Sequence, residues 1–83
     1  MGAKNLRPKR LAEKLKKIRS NLNLSQNDLI ERMGFAGIIF QGNISQYELG
    51  RREPPLPVLL AYARLIKINV DTLIDDKLKL PGQ

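Results

Sequence analysis

Ser25-Gln-Asn-Asp-Leu-Ile-Glu-Arg-Met-Gly34 is followed by Phe35-Ala-Gly-Ile-Ile-Phe-Gln-Gly42 and then by Asn43-Ile-Ser-Gln-Tyr-Glu-Leu-Gly50. The stretch reads as two short helices joined by a connector. Ser25 is placed to cap the first free N–H groups of a helix, and Asp28, three residues on, is placed to return the bond. Leu29 and Met33, four apart, give that helix an inward face. Gly34 suits the left-handed position that ends it. In the second helix Ile44 and Tyr47 point inward, and Gly50 is the stop. Gln41, Asn43, Ser45 and Gln46 are left facing out or at its start. Asn and Gln each offer a donor and an acceptor, the pair that matches N6 and N7 of adenine. A short helix with amides on its outer face is thus suited to reading base edges.

The chain on either side of this stretch supplies helices. The first is predicted from Pro8, a favoured opening residue, to about Asn21. Leu11, Leu15, Ile18 and Leu22 form its apolar stripe. Asn23 is expected in the left-handed conformation at the corner, with Leu24 returning to the core. Pro54 and Pro55 stiffen the link after Gly50. A fourth helix is predicted over Leu56 to Lys67, with Leu56, Leu59, Leu60, Ala63 and Ile66 buried and Tyr62 at the edge, its hydroxyl wet. Asn69 is expected to cap a fifth, Val70 to about Asp76, whose Val70, Leu73 and Ile74 close the core. Leu78, Leu80 and Pro81 make an apolar tail with no obvious cover. No strand is required, and the sequence has no internal repeat or low-complexity segment. The expected fold is all-α, a compact bundle of five short helices. Residues 1–7 read as a flexible basic arm, 8–76 as the domain and 77–83 as a tail.

The connector is unusual. Ile38, Ile39 and Phe40 are large and apolar where a turn should be polar, and burying each is worth roughly 1.5–3 kcal/mol. Partial burial over the core is the preferred expectation. The alternative is a contact surface made of all three.

The net charge is +7, and eight of the fifteen cations (Lys4, Arg7, Lys9, Arg10, Lys14, Lys16, Lys17 and Arg19) lie in the first nineteen residues, opposed only by Glu13. Such a block is a footprint for a polyanion; a solvated helix face is the competing reading. A membrane surface fits less well, because the opposite face lacks Trp or Phe to insert. Lys16 and Lys17 are the candidate backbone cations of the block. Arg51 and Arg52, just after the expected reading helix, suit phosphate oxygens.

Several classes are disfavoured. A domain of 83 residues buries only part of its unfolded surface, so its core is modest. Cysteine and histidine are absent, which removes disulfides, thiolate metal sites, the commonest metal ligand and the commonest general base. No phosphate-cradling glycine loop and no nucleophile–base pair is visible, and the Asp75-Asp76 doublet reads as solvated or capping. Neither enzyme activity, nor a metal, cofactor or small-molecule substrate is expected. No apolar run approaches the ~20 residues a bilayer span needs, and no apolar segment follows the basic N-terminus as in a secretory signal. A cytoplasmic, nucleoid-associated location is expected.

The residues together resemble the DNA-binding domains of the lambdoid phage repressors and Cro, the XRE-type helix-turn-helix family. The resemblance runs from about Leu11 to Ile74. It is carried by Leu15-Lys-Lys-Ile-Arg19, Leu24-Ser-Gln-Asn-Asp-Leu29, Ile44-Ser-Gln-Tyr-Glu-Leu-Gly-Arg51 with Pro54, and Leu59-Leu-Ala-Tyr-Ala-Arg-Leu-Ile66 with Val70-Asp-Thr-Leu-Ile74. It implies that Gln26 contacts a phosphate and helps fix the recognition helix. Gln41, Gly42, Asn43 and Gln46 would face bases, with Ser45, Arg51 and Arg52 at the backbone. Arg19 and Glu48 would form an ion pair tying the first helix to the third. The departure is the connector: nine residues separate Gly34 from Ile44, more than is usual in the family. Phe40 moreover stands where a polar cap is expected, which leaves the start of the third helix open. The implied function is a sequence-specific, double-stranded-DNA-binding transcriptional regulator, a repressor in the first reading, acting as a homodimer with helix 41–49 in the major groove. The alternative is a protein-interaction adaptor or antitoxin-like partner using connector 35–40.

Overall fold

The computed structural model describes residues 6–82. Five helices follow in order: α1 (Leu11–Asn21), α2 (Gln26–Met33), α3 (Gln41–Glu48), α4 (Leu56–Leu65) and α5 (Val70–Ile74). Among the described residues there is no strand. α1 packs on α3 and α5, α2 on α3 and α4, and α4 on α5. Lys4, part of the expected basic arm, lies outside the described residues.

α2 forms as its sequence dictates. Ser25 Oγ accepts the Asp28 N–H at 3.0 Å, and Gly34 takes the left-handed conformation at φ 83°. The expected return bond from Asp28 is not formed among the described residues. Asn23 sits at φ 57°, the left-handed corner between α1 and α2.

α1 begins at Leu11, not near Pro8. The N–H groups of Lys9 and Arg10 instead point at the Asp76 carboxylate, with contacts of 2.9–3.1 Å. A side chain from the far end of the chain thus does the work of a cap. These backbone donors hold the Asp76 carboxyl below its ordinary range. Arg7 is not free either: its guanidinium reaches the Gly50 carbonyl at 3.5 Å and Glu53 at 3.6 Å.

The buried stripe of α1 is Leu11, Leu15 and Ile18, and Lys14 is buried beside it. Lys14 Nζ donates to the carbonyls of Thr72 and Asp75 at 2.8 and 2.9 Å. It thereby satisfies the C-terminal carbonyls of α5, where a cation is favoured. α5 accordingly stops at Ile74 rather than Asp76, and Ile74 is exposed, not part of the core. Asn69 makes no side-chain cap; its backbone carbonyl accepts the Thr72 N–H instead.

In α4 the buried residues are Val58, Leu59, Tyr62 and Ala63, while Leu56 and Leu60 are exposed. The expected stripe was rotated by part of a turn. α4 is apolar on nearly every side, so periodicity alone does not choose the face it buries. Tyr62 is fully buried, not at the edge, and its hydroxyl has no hydrogen-bond partner among the described residues. Burial pushes its phenol far above the ordinary range. The helix ends at Leu65, two residues early, as Lys67 turns left-handed at φ 57°. The tail is covered: Leu80 joins the core, while Leu78, Lys79 and Gly82 run beside Arg10 and, in α1, Lys14 and Lys17.

Candidate nucleic-acid interface

The connector between α2 and α3 divides its apolar residues. Gly37 turns left-handed at φ 82°, and the N–H groups of Ile38 and Ile39 both donate to the Phe35 carbonyl. This tight turn drives Ile39 into the core at 8 % exposure, while Ile38 and Phe40 stay out at 70 % and 62 %. The three therefore do not form one contact surface.

α3 starts at Gln41, which places Gln41 on the helix. Phe40 occupies the N-cap position, and its ring has no acceptor to offer. The missing cap is half replaced by Asn43, whose Oδ1 accepts the Phe40 N–H at 2.9 Å. Asn43 has thereby engaged its carbonyl oxygen at the helix start, and its NH2 group is left for another partner. Gln41 is exposed and Gln46 half-buried. The Gln46 side chain makes no hydrogen bond among the described residues, while its backbone carbonyl receives the N–H groups of Arg51 and Arg52 at 3.0 and 3.3 Å. Gly42 leaves the surface between them open: apart from its chain neighbours and the helix's own backbone, nothing lies within 4 Å of the place a Cβ would occupy. Leu49, just past the end of α3 and three positions after Gln46, is also exposed.

The inner side of α3 is tied down. Arg19 and Glu48 form a two-point ion pair, Nε to Oε2 at 2.6 Å and Nη2 to Oε1 at 3.0 Å. Arg19 Nη1 also holds the Leu24 carbonyl at 2.9 Å. The hydrogen bond to Glu48 raises the Arg19 pKa further above its ordinary value. Glu48 Oε1 accepts in addition from Gln26 Nε2 at 3.5 Å, and Gln26 Oε1 accepts from Ser45 Oγ at 3.3 Å. One polar chain, Ser45–Gln26–Glu48–Arg19, thus spans α3, α2 and α1. Gln26 and Ser45 are half-buried within it.

The cations separate in space. Arg51 and Arg52 are exposed just beyond α3. Arg52 shares a cleft with Arg7, Lys9, Tyr47 and Gly50, so the N-terminal block meets the end of α3 there. Sequence reading assigned Lys9 no particular role, because nothing local places it near residue 52. On α1, Arg19 faces α3 through Glu48, and Ala12 lies beside Gly50, just past the end of α3. Lys16 follows Ala12 by four positions and precedes Arg19 by three, so it shares that side. Lys17 lies toward the tail, beside Leu78 and Lys79. Lys16 and Lys17 are both exposed and border one shallow depression with Glu13, Ser20 and Asn21.

No helix among the described residues is long and apolar enough to cross a membrane. Comparison with characterised proteins and with solved structures gives no match. A family model described as a helix-turn-helix domain matches residues 12–79, which takes in all of α2 and α3, the polar chain that joins them and nearly all of the rest of the bundle. The chain belongs to this helix-turn-helix domain family, of the XRE and Cro/C1 type.

Proposed function

We propose that the protein is a sequence-specific, duplex-DNA-binding transcriptional regulator that lays α3 in the major groove, with repression by occlusion of polymerase as its mode. The observation that carries this reading is the two-sidedness of α3. Ser45 and Glu48 are bonded inward to Gln26 and Arg19, while the amides of Gln41 and Gln46 have no internal use. An orientation fixed on one side and free amides on the other are what base readout requires. Arg51, Arg52 and Lys16 supply phosphate contacts, which set affinity, and the amides supply preference. A single module of this kind buries roughly 600–1,000 Å² on DNA, a thin interface. A homodimer on a two-fold operator is the natural arrangement. The burial of Ile39 takes away the middle of the surface on which an adaptor function would rest. The reading also places the protein on the nucleoid, in the cytoplasm.

The test is selection from a random duplex library at about 0.15 M salt, where non-specific attraction is damped. The expected result is an enriched motif with two-fold symmetry. Binding without enrichment, vanishing as salt rises, would overturn the proposal and leave only a basic surface.

A further inference from the structure

Phe40 contributes little to the fold. It holds the N-cap position of α3, where Ser, Thr, Asp and Asn are favoured because their oxygens accept a backbone N–H. A phenyl ring accepts none, and Asn43 is spent on the Phe40 N–H instead. Nor is the ring core, since it stays 62 % exposed while its neighbour Ile39 is buried. A large aromatic is thus displayed at the opening turn of the helix, at the cost of a cap. The surroundings are open. Gly42 offers no side chain to cover the ring. The shallow cleft beside Phe40 is lined by Asn27, Glu31 and Gln41 together with Ile30, Ala36 and Ile39, and Ile38 is not part of it.

In helix-turn-helix docking the first residues of the second helix approach base edges. The major groove carries one apolar group, the C5-methyl of thymine, and a phenyl ring is a side chain that fits it. We infer that Phe40 reads the 5-methyl group of a thymine in each half-site, next to the base bonded by Gln41. This rests on the placement of α3 in the major groove under Proposed function. Phe40 then adds sequence preference through a methyl contact, alongside the hydrogen bonds of the amides.

The test replaces each thymine of the selected duplex in turn by deoxyuridine, which deletes the methyl and leaves pairing and O4 intact. Affinity is measured for the wild type, Phe40→Ala and Ile38→Ala. The wild type is expected to lose about fourfold at one thymine per half-site, the scale of one buried methyl-sized group. Phe40→Ala is expected to bind the thymine and deoxyuridine duplexes equally at that position, with an unchanged Tm. Ile38→Ala is expected to discriminate as the wild type does. If no thymine matters to the wild type, or Phe40→Ala keeps the discrimination, the inference fails while specific DNA binding stands. If no sequence is preferred at all, the regulatory reading fails and takes this inference with it.

Discussion

Arg19 on α1 and Glu48 on α3 meet in a two-point ion pair at 2.6 and 3.0 Å, with Glu48 only 6 % exposed and Arg19 19 %. The pair is charge-assisted and bidentate, the strong form of such a contact. Its net worth is a separate matter, because desolvation offsets much of the attraction. Removing one partner strands the other. Glu48→Ala is expected to lower unfolding free energy by about 3 kcal/mol, measured by urea denaturation. A double replacement, Arg19→Met with Glu48→Leu, is expected to cost much less than the single change. Additive losses in that cycle would show that the two residues act independently.

Asn43 and Gln46 are expected to behave differently, although both are amides on α3. Asn43 bonds the Phe40 N–H at 2.9 Å, so Asn43→Ala removes the remaining half of a capping box. It is expected to cost about 1 kcal/mol of stability, read as a lower Tm. Gln46 has no such duty. Gln46→Ala is expected to leave Tm unchanged, to cost roughly 1–3 kcal/mol at the preferred site, and to blur base preference there. An unaltered preferred sequence in a repeat of the selection would remove Gln46 from base reading.

Asp76 gives the fold a pH dependence. Two backbone N–H groups hold its carboxyl below the ordinary 3.8. A carboxylate with a depressed folded pKa contributes stability above its unfolded pKa and loses that contribution as pH falls through the folded value. The contribution is therefore complete at neutral pH and disappears on acidification below about 3.8. Wild type and Asp76→Asn are expected to differ in denaturation midpoint at pH 7 and to converge at low pH. A constant difference across the range would mean that the carboxylate charge has no part in holding the α1 start.

What was legible in the sequence was local. Ser25, Asn23 and Gly34 each bias their own turn, and the α1 stripe of Leu11, Leu15 and Ile18 has a single solution. The α4 stripe did not, because Leu56, Val58, Leu59, Leu60 and Tyr62 spread apolar surface over too wide an arc. Which of them is buried depends on what α2 and α5 present to it. The long-range polar contacts were equally hidden. Asp76 reaches Lys9, 67 positions away, and Lys14 reaches Thr72, 58 away. No periodicity encodes such pairs, so Asp76 read as a solvated or capping residue without a target and Lys14 as one more surface cation. At the interface, resemblance supplied the Arg19–Glu48 pair. The division of Ile38, Ile39 and Phe40 came only with the turn at Gly37.

Lys14 decides how the N-terminal charge should be counted. Eight cations stand in the first nineteen residues, and charge alone treats them as one polyanion-binding block. Yet Lys14 is 4 % exposed, with its ammonium against the Thr72 and Asp75 carbonyls, and Arg19 is spent on Glu48. Neither is placed to meet a phosphate. Lys14→Met keeps the aliphatic stem and removes the donors, and hydrogen bonds from a charged donor are worth about 1.5–3 kcal/mol each. It is expected to lower stability by about 2 kcal/mol while leaving the slope of log affinity against log salt unchanged. Lys16→Met is expected to do the reverse, sparing Tm and reducing that slope by about 1. A changed slope for Lys14→Met at a temperature where the variant remains folded would place its charge at the DNA and overturn this division of the block.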